Sequence, residues 1–242
     1  MYKYNFIADD IKNKITNHFY KVNEKLPDES TLSLEYNCSR MTIKKAMDIL
    51  VSEGFIIKYS GVGTLIRAHQ TSSNKGDEKK YYSNSTSKFG FNSSFKDIEH
   101  STEVVTFNVI ECPEGISDKL QISNNSFVYF VERIRYIEKK PIIFETLYLP
   151  VDKIVGLTRT VLENSLYEYI EKKLNIKIYN ADKFIKAKLA DEKDMLFLKM
   201  EKYKPILELE HIVYSNKNIP IEFAKLHYNA EYYELHFITK NG

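Results

Sequence analysis

Two arginines separated by one residue, Arg133 and Arg135, carry the clearest chemistry in this 242-residue chain. Lys and Arg together number 35, but only Arg40, Arg67, Arg133, Arg135 and Arg159 are arginines. The pair lies in Phe127 to Ile137, whose β-branched and aromatic residues predict a strand. Alternation puts Val131, Arg133 and Arg135 on one face and Phe130, Ile134 and Tyr136 on the other. Two guanidinium groups on one face repel each other unless an anion lies between them, and their planar forks suit phosphate or carboxylate. That anion is either a ligand or a carboxylate of the chain, Glu132, Glu145 or another. Glu145 follows the apolar Ile142-Ile143-Phe144, and Glu222 follows Ile219-Pro220-Ile221 with Tyr228 on the same strand face. Carboxylates and a phenol within apolar strands are what a sugar's hydroxyl array requires. Ser165 opens a helical stretch where its hydroxyl and free N–H groups can hold an anion.

A second group of residues, near the N-terminus, has a different chemistry. Ser39 can cap a helix that runs to Gly54, with Ile43, Ala46, Met47 and Leu50 inward at spacings of three and four. Arg40, Met41, Lys44 and Lys45 then point outward. Arg40 and Lys44, one turn apart, suit a major groove, and the Thr42 hydroxyl can add a contact. Pro27 and Asp28 announce a preceding helix through Leu32 and Leu34 to Tyr36, and Ile7, Ile11 and Ile15 stripe a first one. After Gly54 the pattern becomes extended, and Gly61 and Gly63 tip a hairpin where positive φ and close backbone approach to a phosphate are available. Helix, turn, helix and glycine-tipped hairpin in that order predict a winged helix-turn-helix that reads double-stranded DNA.

Composition bounds the rest. The length suits two domains, hydrophobic content is 43%, and no apolar run approaches the roughly 20 residues that span a bilayer. There is no signal peptide pattern, and Cys38 and Cys112 stand far apart without metal-ligand companions, so a cytoplasmic chain with reduced thiols, no metal and no cofactor is expected. A net charge of +2 is too small to advertise nucleic acid by itself. The signal lies in distribution: Arg40, Lys44, Lys45, Lys58 and Arg67 crowd the second helix and the hairpin, opposed only by Asp48 and Glu53. Residues 1–67 therefore read as the DNA-binding domain. The polar, irregular 68–89 reads as a linker, and 90–242 reads as an α+β domain on an antiparallel sheet. Its strands are expected over 103–110, 127–137, 142–149, 181–187, 206–214 and 219–228, and its helices near 114–120, 165–174 and 191–198.

Residues 4–66 resemble the DNA-binding domain of the GntR family of bacterial regulators. The resemblance rests on Leu26-Pro27-Asp28-Glu29, Ser39-Arg40-Met41-Thr42-Ile43-Lys44-Lys45-Ala46-Met47, Glu53-Gly54 and Gly61-Val62-Gly63-Thr64. Ser30 and Lys44 stand where many members carry Arg, and His18 and Asn23 stand where turn glycines are usual. Residues 90–237 resemble the effector-binding (UTRA) domain of the HutC-type branch, through Arg133-Ile134-Arg135, Glu145 to Leu149-Pro150, Ser165-Leu166-Tyr167 and Pro220-Ile221-Glu222. A Thr-Ser-Phe segment opening that domain stands here as Asn92-Ser93-Ser94, which implies loss of its Phe.

The resemblance implies a homodimeric transcription regulator, more a repressor than an activator, with a chorismate-lyase-like second domain. Asn92, Ser93, Ser94, Arg133, Arg135, Glu145, Ser165, Tyr167, Glu222 and Tyr228 would surround a sugar phosphate, and Ser39, Arg40, Thr42, Lys44, Lys45, Gly61 and Gly63 would face the operator. The rivals are a regulator answering a non-sugar carboxylate or other small anion, a small-molecule enzyme fused to a DNA reader, and an architectural protein. No nucleophile elbow or convincing acid and base pair supports the enzyme, and the modest net charge disfavours the architectural protein.

Overall fold

The computed structural model describes residues 2–59, 61–67, 81–84, 91, 95 and 98–236. It divides into two compact units, 1–88 with 234–242, and 89–233.

In the first unit α1 (Lys3–Thr16), α2 (Glu29–Glu35) and α3 (Arg40–Ser52) pack around one core, followed by a hairpin of β1 (Ile56–Tyr59) and β2 (Gly63–Ile66). The inward residues are those the periodicity selects: Ile7, Ile11 and Ile15 from α1, Leu32 from α2, and Ile43, Ala46, Met47 and Leu50 from α3. Burying each large aliphatic side chain stabilises the unit by about 1.5–3 kcal/mol. The caps are local and side-chain based. Asp28 accepts from Thr31 N at 2.7 Å and Ser39 accepts from Thr42 N at 3.2 Å. Leu34 is 83% exposed on the outer face of α2. The chain between α1 and α2 runs beside β2, with Asn23 N donating to Ile66 O and Leu26 N to Thr64 O. That path needs left-handed backbone at both positions where the sequence substitutes for glycine, His18 (φ 59°) and Asn23 (φ 65°).

The second unit is a six-stranded antiparallel sheet in the order β4-β5-β6-β9-β8-β7. Its strands are β4 (His100–Glu111), β5 (Phe127–Ile137), β6 (Lys140–Pro150), β7 (Ile178–Leu189), β8 (Pro205–Ser215) and β9 (Pro220–Asn229). All six expected strands are present and most are longer than the pattern indicated. β5 turns into β6 through Glu138 (φ 47°) and Lys139 (φ 66°), the two positive values that a tight hairpin requires. A further pair, β3 (Tyr81–Asn84) with β10 (Tyr233–His236), forms a separate two-stranded ladder.

Short helices cover both faces. On one lie α4 (Ile116–Leu120) and α7 (Glu192–Phe197), where Lys119 sits over the Phe223 ring and Phe197 stacks on Phe144. On the other lie α5 (Arg159–Glu163) and α6 (Leu166–Lys172). Helix α5 was not expected from the sequence; its local signal is Thr158, which caps it by accepting from Val161 N at 3.3 Å. The architecture is α+β, as anticipated. No helix among the described residues is long and apolar enough to cross a membrane.

Candidate functional sites

Helix α3 presents its basic residues outward. Arg40, Lys44 and Lys45 are exposed, as is Met41, while Ile43, Ala46, Met47 and Leu50 seal the core. Arg40 and Lys44 make no ion pair among the described residues, so their full charge faces solvent. Lys45 lies 5.7 Å from the Tyr4 ring centroid, a cation–π contact that anchors it partly to α1. The Ser39 and Thr42 hydroxyls are 2.9 Å apart, so each is oriented by the other at the start of the helix.

The charge reading of this surface needs correction at two residues. Lys58 pairs at 3.3 Å with both Glu29 and Asp48, and Glu53 pairs with Lys12 of α1. Lys58 is therefore held within the domain, and Glu53 is turned away from the basic face. At the hairpin tip Gly61 (φ 76°) and Gly63 (φ 113°) both adopt backbone closed to most side chains. A Cβ on Gly61 would meet nothing within 4 Å, so conformation alone demands glycine there. Gly61→Val should distort the hairpin and weaken operator binding several-fold, whereas Gly61→Asn, whose residue type tolerates left-handed φ, should keep most of it. Equal operator affinities of both variants and the parent, in titrations at one salt concentration, would make the hairpin a structural cap and nothing more.

In the second unit the register of β5 on β6 sets Arg133 opposite Glu145. Arg133 Nε donates to Glu145 Oε2 at 2.5 Å and Arg135 Nε to the same oxygen at 3.2 Å. The anion that the arginine pair needs is thus partly supplied from within. Glu132, the other candidate, is on the opposite face, bonded to Thr106 and Lys193. Both arginines are only 4% exposed. Arg133 Nη1 donates to the Leu162 carbonyl of α5 at 3.1 Å, and Arg135 Nη1 to Thr102 Oγ1 of β4 at 2.5 Å. The outer Nη2 groups have no partner among the described residues.

Burial and the neighbouring Arg133 together push Arg135 down to about 10, which still leaves it charged at neutral pH. Burial pushes Glu145 up, but the two guanidinium groups outweigh it and hold the carboxyl below its ordinary range. Two full positive charges sharing one carboxylate leave a positive surplus at this end of the site.

The other end is built on Glu222. Tyr167 of α6 donates to Glu222 Oε1 at 2.9 Å, and His211 Nε2 lies 2.8 Å from the same oxygen. Glu222 Oε2 is buried without a hydrogen-bond partner. Since Glu145 opposes Leu226 across β6 and β9, Glu222 lies four residues, roughly 13 Å, farther along its strand on the same face. Burial, then Glu222, hold the Tyr167 phenol well above its usual range, so it stays a donor. Tyr228 is buried, and its ring stacks 4.2 Å from that of Tyr233. Burial raises its phenol too, with Tyr233 next and Glu145 and Arg135 among its charged neighbours.

Ser165 caps α6, accepting from Glu168 N at 3.4 Å, so its hydroxyl is engaged in holding the helix that delivers Tyr167. Asn92, Ser93 and Ser94 lie outside the described residues. The inference that the segment loses its aromatic is wrong: Phe95 directly follows Ser94, is buried, and packs 5.0 Å from Phe91. Phe91 in turn lies 4.9 Å from the Arg135 guanidinium. Sequence reasoning missed His211, Thr102 and Phe91. A histidine in the apolar run of β8 was the one available hint.

Across the sheet Asp191, Asp194 and His227 bring ligand atoms within 4.8 Å of one another. Each is already engaged. Asp191 and Asp194 close a capping box at the start of α7, and His227 bridges Asp194 at 2.6 Å and Glu208 at 3.1 Å.

Comparison with known proteins agrees with both halves of this geometry. Residues 3–66 match the family of bacterial regulatory proteins named gntR, and residues 96–234 match the UTRA domain. The chain is 34% identical over 224 residues to the HTH-type transcriptional regulator GmuR of Bacillus subtilis, covering 93% of this chain and 92% of that one. It is 28% identical over 237 residues to the mannosyl-D-glycerate transport/metabolism system repressor MngR of Escherichia coli, covering 98% and 95%. The crystal structure of the possible transcriptional regulator YydK of Bacillus subtilis superposes with a TM-score of 0.80 at 26% identity, covering 100% of each chain. This chain belongs to the gntR family of bacterial regulatory proteins, with a UTRA domain behind its DNA reader, and is a transcriptional regulator rather than an enzyme.

Proposed function

We propose that this regulator is a cytoplasmic, homodimeric repressor of carbohydrate-utilisation genes that a phosphorylated sugar releases from its operator. Residues 1–67 read the DNA, 68–89 link the two functions and 90–242 hold the effector. The observation that carries the reading is the two-ended site. Arg133 and Arg135 share one carboxylate and keep outer N–H groups for an anion, while Glu222 offers an unpartnered buried oxygen to a hydroxyl donor. A sugar phosphate brings both complements on one molecule. Similarity to MngR, whose name assigns it to a mannosyl-D-glycerate system, supports a carbohydrate-derived effector.

On the DNA side, Arg40 reaches a base edge and Lys44 a base or phosphate. Ser39, Thr42, Lys45, Gly61 and Gly63 complete the surface. By linkage, operator DNA weakens effector binding by the factor with which effector weakens operator binding.

A thermal-shift screen with phosphorylated sugars, their unphosphorylated forms and sugar acids tests this. A true effector at a hundredfold over its dissociation constant should stabilise the protein by about 2.7 kcal/mol and release a bound operator fragment. Sugar acids that stabilise and release where every sugar phosphate fails would replace phosphate by carboxylate. Release by an unphosphorylated sugar alone would overturn the anion half of the proposal.

A further inference from the structure

The core side of α3 is fixed by Ile43, Ala46, Met47 and Leu50, each at most 1% exposed. At about 100° of rotation per residue, Met41 falls about 170° from the middle of that buried stripe, at the crest of the outer side. It is 63% exposed, whereas Ile49 and Val51, the other apolar residues of the helix, are half-buried against the core. Its neighbours on the outer side are cationic, with Lys44 about 60° to one side and Lys45 about 40° to the other. Asp48, about two turns farther along the same side, pairs with Lys58 of β1 at 3.3 Å, so its charge does not oppose an approaching phosphate alone. A thioether set here, directly after Arg40, adds nothing to the core of its own domain.

We propose that Met41 reads the 5-methyl group of a thymine in the operator's major groove, within about two base steps of the base that Arg40 meets. This rests on the reading of α3 as the groove helix and adds one base to what that helix recognises. The first turn of a reading helix is the part that reaches base edges. Of the four bases only thymine adds a methyl group to the donors and acceptors displayed in that groove. A thioether is too weak an acceptor to stand in for a hydrogen bond to the polar edges. Its flexible chain and polarisable sulfur instead let it lie against a methyl group, and the contact removes apolar surface of both partners from water.

The neighbouring residues are less suited to this contact. Thr42 also carries a methyl group, but it is half-buried and its hydroxyl lies 2.9 Å from that of Ser39, which ties it to the helix cap. Lys45 is drawn toward α1 by the Tyr4 ring. Arg40 and Lys44 present charge and suit acceptors and phosphates. Met41 is therefore the apolar group that α3 brings to the floor of the groove.

The test is a set of titrations of the full chain at one salt concentration. The probe is a duplex recovered with the parent protein by selection from a random pool, in which each thymidine in turn is replaced by deoxyuridine, which lacks only the methyl group. At one position per half-site the replacement should weaken the parent about fourfold, the effect of one buried methyl, and leave Met41→Ala unaffected. A duplex with 5-methylcytosine at that position should bind the parent more tightly than one with cytosine. Arg40→Ala should keep the deoxyuridine response, and Met41→Ala should melt with the parent. A parent indifferent to every deoxyuridine, or a Met41→Ala variant that loses as much as the parent at the responsive position, would overturn Met41 as a reader and leave α3 in the groove. Parental affinity for the duplex in Arg40→Ala, Met41→Ala and Lys44→Ala alike would overturn both the methyl contact and the groove helix.

Discussion

Replacing both Arg133 and Arg135 by Gln should cost the second unit about 3–5 kcal/mol, because Glu145 would be left buried with no countercharge. For a chain of this size that corresponds to a fall in melting temperature of roughly 6–20 °C. Adding Glu145→Gln should recover most of the loss, since removal of a whole buried ion cluster is often close to neutral where removal of one partner is not. Effector binding should stay lost in the triple variant, which separates the structural from the sensing role. Melts of the double and triple variants, each titrated calorimetrically with a sugar phosphate, provide the check. A triple variant that binds at parental affinity removes the arginines from the sensor, and a double variant that melts with the parent removes Glu145 as their structural partner.

The same cluster predicts a particular acid response. Glu145 is held below the ordinary glutamate value of 4.5, so its contribution to stability is complete above that pH and is lost as pH falls below it. In the double variant the guanidinium groups are gone and burial alone acts, so its stability should decline from a higher pH than that of the parent.

Arg40→Ala should cost about 1–3 kcal/mol of specific operator binding, a factor of roughly 5 to 150, with no loss of fold. The helix does not depend on this side chain, which is exposed at the first position of α3, with the core sealed by Ile43, Ala46, Met47 and Leu50. Lys44→Ala should act more evenly across sequences and, if Lys44 meets a phosphate, lower the salt dependence by about one counterion. Titrations of operator and scrambled duplexes over a salt series distinguish the two. Unchanged discrimination in Arg40→Ala would remove it from the reading surface.

The DNA reader was legible in the sequence because its determinants are local. The spacing of Ile43, Ala46, Met47 and Leu50, the caps at Asp28 and Ser39, and the left-handed positions at His18, Asn23 and Gly61 each act within a turn or two of chain. Ion pairs over longer reach were not legible: nothing near Lys58 in sequence announces Glu29, and nothing near Glu53 announces Lys12.

In the second domain the sequence by itself determined the strands, the shared face of Arg133 and Arg135, and the need for an anion between them. Which anion was decided by a single irregularity. The turn at Glu138 and Lys139 pairs Ile137 with Lys140 and Tyr136 with Pro141, and continuing that register would set Arg133 against Phe144, with Glu145 on the far face. The bulge between Arg135 and Tyr136 shifts the pairing by one residue and brings Glu145 to Arg133, because side chains alternate with a period of two and one added residue exchanges the faces. The meeting of Tyr167, His211 and Glu222 is likewise tertiary. These residues come from a helix and two strands, and only the packing of α6 over the β8–β9 pair leaves one oxygen of Glu222 buried and unpartnered.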